Sequence, residues 1–407
     1  MNNWNPSELK AELSKYDREA IYKSKVTALQ KTMIENDLKV IICFKPQNTF
    51  SLSGFNPVLY SHPVVVIVPA EGEAVLLVHS LRANHSKDEA AMKNIRLFGA
   101  WATQKPIADN AYDAISIILD ELNAKRGNVG YEGDFLSVGQ FEKIQAISEA
   151  AKMIDVKDIL LESRMIKTEY EIVLLKLASY MANIGMKAAI ENIRKSEIEA
   201  SIAAEYAMRK AWSKDLGNFE VASFGNTEGG IVNGLWCYCS SGKRVPYGCD
   251  CPKDRIPQEG EVSLPIVWAV CDGYHAENER TVIIGKLDDY HQRAYDAMRE
   301  GRKKVFAMMK EGVTAGQAYE ASASVFIAAG FKDYLQGRIG HGMGLSLHEE
   351  PSLAINSNLV LKEGMVVTVE PGLMFPEWGS VRHSDTVVVR KNGIEILTMS
   401  ESNFIVG

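Results

Sequence analysis

Apolar positions recur at helical spacing near the start of the chain. Ile21, Val26, Leu29 and Met33 fall on one face, and the spacing predicts a helix over residues 17–36. Short runs rich in β-branched residues follow at Lys39–Phe44, Pro63–Pro69 and Glu73–Val78, and read as strands. With helices predicted over 110–124 and 138–151, strands and helices alternate, which predicts an α/β domain ending near residue 160. A long helix is predicted from about Glu169 to Glu191. Thr168 is its N-cap and Glu171 stands three residues on, the pattern of a capping box. Residues 196–215 and 287–311 also read as helical, whereas 220–224, 262–270, 280–285, 365–370 and 383–390 are β-rich. Here helices and strands are grouped, so the second part is α+β. The expected division is 1–160 and 161–407, with no low-complexity tract and no close repeat.

Composition narrows the class. A chain of 407 residues with 46% hydrophobic and 24% charged positions can build two good cores. A net charge of −7 disfavours nucleic acid or an anionic membrane as partner and is compatible with a small cationic substrate. No uninterrupted apolar run reaches the roughly 18 residues of a membrane span. The first residues lack the basic-plus-apolar pattern of a secretory signal. Six cysteines are too few for a disulfide framework, so the expectation is a reduced, cytoplasmic protein. Cys237, Cys239, Cys249 and Cys251 do cluster, as C-x-C…C-x-C rather than C-x₂-C, and leave a structural zinc site as an alternative.

The candidate chemistry lies late in the chain. His341 sits in a glycine-rich stretch, Gly340-His341-Gly342-Met343-Gly344, and His348 follows seven residues on, beside Glu349. Glycines beside a histidine let backbone come close to whatever the imidazole touches. Imidazole is both a common metal ligand and the usual general base near neutral pH. Glu370 then ends the apolar run Met365–Val369. Two histidines and a glutamate presented in this way point to an active site.

These residues carry a resemblance. The chain resembles the pita-bread enzymes, a superfamily that includes creatinase, aminopeptidase P, prolidase and methionine aminopeptidase. The resemblance runs through Arg164–Lys167, Gly273-Tyr274 with Glu279-Arg280-Thr281, the His341–Pro351 block, Gly364-Met365 with Glu370-Pro371-Gly372, and Arg382 with Asp385-Thr386. The segment Asn48–Phe55 looks like the N-domain of the larger members. The implied fold class is α+β: an N-terminal α/β domain followed by a C-terminal pita-bread domain. Peptidases of the superfamily hold two metal ions with two Asp, one His and two Glu. Carried over by position, these fall on Ile266, Glu277, His341, Glu370 and Ser384. Isoleucine cannot ligate a cation and a lone hydroxyl poorly replaces a bridging carboxylate. Only Glu277, His341 and Glu370 remain.

The expectation drawn from this is the metal-free branch. Creatinase carries the same Glu-Arg-Thr where peptidases have Thr-Arg-Thr. By that resemblance Glu279, with Glu370, grips a planar amidinium through bidentate charge-assisted bonds, and ectoine hydrolase shares the amidine theme. The loop histidine of these enzymes falls on Cys249, read as a nucleophile or stand-in acid/base, with a packed loop thiol as the plainer alternative. His341 and His348 are expected to handle protons. Glu277 is a third carboxylate in the pocket, and Tyr247 lines it. Glu279 and Glu370 are alternatively ion-pair partners of Arg280 and Arg382. The family dimer implies a homodimer in which Phe50, Tyr60, His62 and Arg82 complete the partner's pocket. The expectation is therefore a creatinase-like amidinohydrolase cleaving a C–N bond of a small molecule, with no cofactor and no metal. The alternatives are an X-Pro aminopeptidase or dipeptidase with a reduced metal site, or a binding protein without turnover.

Overall fold

The structure, a computed structural model, describes residues 4–225, 233–398 and 404–406. It divides into two compact units. One comprises Lys15–Arg164 with Phe224–Val232, and the other Met165–Ser223 and Asn233–Gly407 together with the segment up to Ser14.

The N-terminal unit is built on six strands: β1 (Val40–Cys43), β2 (Val65–Pro69), β3 (Val75–His79), β4 (Ile95–Phe98), β5 (Asn128–Tyr131) and β6 (Lys152–Asp155). Their order is β4-β3-β2-β1-β5-β6. The β1–β2 and β2–β3 pairs are antiparallel and the others parallel. Strands β1 and β2 are apolar at every position because both faces are covered. Ile41, Val66 and Val68 pack with Leu29 and Met33 of the helix Arg18–Glu35. Val40, Ile42, Val65 and Ile67 pack on the other side with Ile115 and Ile118 of the helix Ala111–Glu121.

The C-terminal unit holds an eleven-stranded sheet. Its strands are β7 (Leu235–Ser241), β8 (Val262–Cys271), β9 (Tyr274–Arg280), β10 (Val282–Ile284), β11 (Arg338–Gly342), β12 (Glu349–Ala354), β13 (Val366–Val369), β14 (Gly372–Phe375), β15 (Gly379–Arg390), β16 (Gly393–Ile396) and β17 (Ile405–Val406). The main path is β12-β11-β13-β15-β9-β8-β10-β17, with β14 and β16 on β15 and β7 on β8. The helix Glu169–Asn192 starts at the expected capping box, Thr168 and Glu171 each bonding the other's backbone N–H. This helix is long and apolar enough to cross a membrane, but 72% of its apolar window is buried inside the protein. Its apolar character belongs to the core, where it lies on β8 and β9. The short helix Pro6–Leu13 joins this unit too: Trp4 Nε1 donates to the Leu397 carbonyl at 2.7 Å and Lys10 Nζ to the Asp215 carbonyl at 2.8 Å.

Two local expectations differ from the structure. Residues 220–224 form no strand, only an isolated Ala222–Asn233 bridge. Asp272 takes the backbone of Glu220 instead, accepting its N–H at 2.8 Å and donating to its carbonyl at 2.9 Å. The helix Ala315–Ala328 was not expected. Its buried face is made of Ala, Gly and Ser with few large side chains, so no strong apolar stripe announces it.

Candidate functional site

One row of the large sheet organises the site. Strand β8 places Trp268 opposite Glu277 of β9 and Ile266 opposite Glu279. Strand β15 places Ser384 opposite the same Glu279. Directly opposed residues share a face, so Ile266, Trp268, Glu277, Glu279 and Ser384 point the same way. Ile266 packs into an apolar cluster with Leu264 and Trp268. His341 comes from β11 and Glu370 from the residue after β13. Both are fixed by backbone bonds: His341 N–H to Thr368 Oγ1 at 3.0 Å, and Glu370 N–H to the Ile339 carbonyl at 2.8 Å.

The donor atoms of Glu277, His341 and Glu370 lie within 4.8 Å of one another. All three residues are between 2% and 6% exposed. Trp268 Nε1 donates to Glu277 Oε2 at 2.9 Å and Ser384 Oγ to Glu277 Oε1 at 2.6 Å. These donors are neutral; they orient the carboxylate without cancelling its charge. His341 Nδ1 lies 3.1 Å from the Gly342 carbonyl. A carbonyl only accepts, so Nδ1 carries a proton there. Nε2 then faces Glu277 Oε2 at 3.9 Å and Glu370 Oε1 at 3.6 Å. An imidazole nitrogen and two buried carboxylate oxygens converge on one point, with second partners that orient them. This donor set fits a divalent cation such as manganese, iron or zinc, with coordination positions left open.

Glu279 has a different partner. Arg382 Nε donates to its Oε2 at 2.5 Å and Nη2 to its Oε1 at 2.7 Å, a bidentate pair. Burial pushes the Glu279 carboxyl upward, while Arg382 opposes the shift. Burial works against the charge on Arg382, but Glu279 and then Glu370 outweigh it and raise its value further. Two N–H groups on two oxygens describe an ionised pair, and we take both groups as charged. Burial and then Glu277 raise the Glu370 carboxyl, against Arg382. The His348 ring packs against that of His341, tilted by 42° with centroids 4.3 Å apart, and burial, then His341, hold its imidazole below the ordinary range.

The structure thus brings Glu277, His341, Glu370, Glu279 and His348 together. Glycines in this stretch serve close approach between strands rather than to a ligand. A Cβ on Gly342 would lie 2.1 Å from the Glu350 carbonyl oxygen. Cys249 is an exposed loop residue, yet burial around its sulfur, then Glu279, push the thiol up to about 12. Arg382, Glu277 and Glu370 act on it as well, so the sulfur lies beside this cluster, and its upward shift favours the thiol over the thiolate. Tyr247 is 67% exposed at the end of a short 3₁₀ turn. Phe50, Tyr60, His62 and Arg82 belong to the N-terminal unit. Phe50 and Tyr60 are buried there, Phe50 against Tyr22. His62 stacks on His79, and Arg82 Nη2 donates to the Leu59 carbonyl at 3.0 Å. Sequence reading missed Trp268, and it took Ser384 only as a lost ligand. Their signal was the register of β8, β9 and β15, which spacing along one strand does not reveal.

Residues 174–391 match the profile of Metallopeptidase family M24, and residues 25–166 that of the Creatinase/Prolidase N-terminal domain. The Xaa-Pro dipeptidase of Pyrococcus furiosus is 28% identical over 387 residues, covering 94% of this chain and all of the relative. The prolidase structure from Pyrococcus horikoshii OT3 superposes with a TM-score of 0.77 at 26% identity, over 94% of this chain and all of that one. An Xaa-Pro dipeptidase from Bacillus anthracis shares the fold, with a TM-score of 0.80 at 24% identity over 95% of this chain and all of its own. These matches establish the expected fold, an N-terminal domain followed by a pita-bread domain. They overturn the metal-free, creatinase-like amidinohydrolase expectation: the matched profile is a metallopeptidase's, and the two Pyrococcus relatives matched over 99–100% of their length are Xaa-Pro dipeptidases. The geometry agrees, because both Glu279 oxygens that were to grip an amidinium are already held by Arg382.

Proposed function

The chain belongs to metallopeptidase family M24, and on that premise we propose that it hydrolyses small Xaa-Pro peptides using one divalent cation held by Glu277, His341 and Glu370. The observation that carries this reading is the convergence of His341 Nε2 on two buried carboxylates, with its Nδ1 proton committed to the Gly342 carbonyl. The two Pyrococcus relatives, both Xaa-Pro dipeptidases, supply the substrate class.

When bound, such a cation polarises a peptide carbonyl and makes water a nucleophile near neutral pH. The chain's own residues do the rest. Trp268 and Ser384 orient Glu277, and the Gly342 carbonyl orients His341. Glu370 Oε1 sits 3.6 Å from His341 Nε2, placed to share the cation with it. His348, exposed and held below the ordinary imidazole range, is unprotonated at neutral pH and accepts a proton at the mouth of the site. Ile266, opposite Glu279, packs with Leu264 and Trp268 and gives that end of the row an apolar surface.

Elemental analysis of the purified protein, paired with an Xaa-Pro dipeptide assay, tests the reading. Near-stoichiometric Mn, Fe, Co or Zn is expected, with hydrolysis abolished by a chelator and restored by the metal. His341→Ala is expected to lose both metal and activity. A metal-free protein that hydrolyses the dipeptides undiminished, or a metal-loaded protein with no hydrolysis across an Xaa-Pro panel, would sink the proposal.

A further inference from the structure

The row Ile266, Glu279, Ser384 runs across β8, β9 and β15. The resemblance to two-metal peptidases places carboxylates at its two ends, and this chain has none there. It has one at the centre instead, and that carboxylate is spoken for. Glu279 is 2% exposed and receives two hydrogen bonds from Arg382. Arg382 Nε also lies 4.0 Å from Glu370 Oε2. The neighbouring arginine is engaged elsewhere: Arg280 Nη1 donates to the Glu279 and Ser384 carbonyls, and its Nη2 to Asp385.

We propose that the Glu279–Arg382 pair is a built-in replacement for a second metal ion, its guanidinium supplying the second cation of the pocket so that the site takes one divalent ion. The inference rests on the single-cation reading above. The charge count supports it. Glu277, Glu279 and Glu370 bring three negative charges into a buried pocket. One divalent ion and one guanidinium balance them. A second divalent ion would meet a guanidinium in place, with both Glu279 oxygens occupied, an apolar Ile266 and a single hydroxyl at Ser384. While Arg382 holds both Glu279 oxygens, no carboxylate at this end of the row is free to bridge to a second metal. Arginine suits the role because it stays charged when buried and its fork matches a carboxylate. Its charge also lies 4.0 Å from Glu370 Oε2, where it favours the ionised carboxylate that the first ion needs.

The test is the Mn²⁺ stoichiometry of the full chain, read by titration calorimetry and elemental analysis. The unmodified protein is expected to bind one Mn²⁺. Arg382→Gln frees Glu279 and is expected to gain one ion, reaching two. The double variant Glu279→Gln/Arg382→Gln is expected to return to one. An Arg382→Gln protein that folds and gains no ion over the unmodified chain overturns the proposal, as does an unmodified chain that binds two. The single-cation reading fails separately: an unmodified chain binding none, with Arg382→Gln binding one, removes that reading and keeps the role of the pair. If Arg382→Gln does not fold, anomalous scattering from Mn²⁺-soaked crystals of the unmodified protein decides. One peak among Glu277, His341 and Glu370 supports the proposal, and a peak against Glu279 overturns it.

Discussion

Glu277 carries a charge that its protein neighbours orient but do not neutralise. An indole N–H and a serine hydroxyl fix both of its oxygens, and such outer partners commonly set metal affinity by about 10–100-fold. Trp268→Phe keeps the packing surface and removes the donor, so Mn²⁺ affinity is expected to fall by about that range in calorimetry. Unchanged affinity would show that the indole only fills space. His348 offers a test through pH. Its imidazole is held below about 6.5, so it is unprotonated at neutral pH and gains a proton as pH falls below that value. Acidic loss of kcat/KM is expected over that range, and His348→Gln is expected to flatten the limb while lowering the plateau. At this scale the sequence was half legible. His341, Glu277 and Glu370 lie in motifs with local spacing and could be read in advance. The true partner of Glu279 could not be separated from its rival, because Arg280 is adjacent in sequence while Arg382 stands 103 residues away. Only the β9–β15 register brings the latter onto the same face.

Strand β15 is the element that ties site to core. Asp385, fully buried, accepts from Arg280 Nη2 at 2.5 Å and from Arg302 Nε at 2.7 Å. Burial alone would raise its carboxyl, but Arg280 and then Arg302 outweigh burial and hold it below the usual range. The folded value is therefore lower than the unfolded value of about 3.9. The stabilisation is fully present above that unfolded value and is lost as pH falls through it toward the folded one. Removing one partner of a buried pair typically costs about 3–5 kcal/mol. Asp385→Asn is expected to lose about that much in urea unfolding at pH 7, and less at pH 3, where part of the contribution is already gone in the parent. An equal loss at both pH values would contradict the assignment. Strands such as β8 and β15 were readable as β-branched runs. The helix Ala315–Ala328 was not, since small residues build its buried face, and its own capping box at Thr314 and Gln317 was the available signal.

Each unit carries its own core. In the N-terminal unit the apolar faces of β1 and β2 are covered on both sides by side chains from within Lys15–Arg164. A fragment spanning residues 15–164 is expected to unfold cooperatively in urea by circular dichroism; a gradual, featureless transition would show that its core is insufficient. Metal should act on the other unit. A ligand held at one hundred times its Kd stabilises by about 2.7 kcal/mol, so chelation is expected to lower the Tm of the full chain and leave that of the fragment unchanged. The architecture was legible from the alternation of elements in the first part and their grouping in the second. The reaction class was misread because two missing ligands were taken as the loss of metal chemistry. Geometry shows that three of the five positions still converge.

The row across β8, β9 and β15 also constrains how this sequence can vary. An aspartate at 266 or a glutamate at 384 would each stand directly opposite Glu279 and add a like charge to a pocket already balanced. Replacing Glu279 alone would strand the Arg382 guanidinium. Substitutions at 266, 279, 382 and 384 are therefore expected to be epistatic, and neither carboxylate of the five-ligand pattern that the resemblance to two-metal peptidases implies can be restored alone without adding charge beside Glu279.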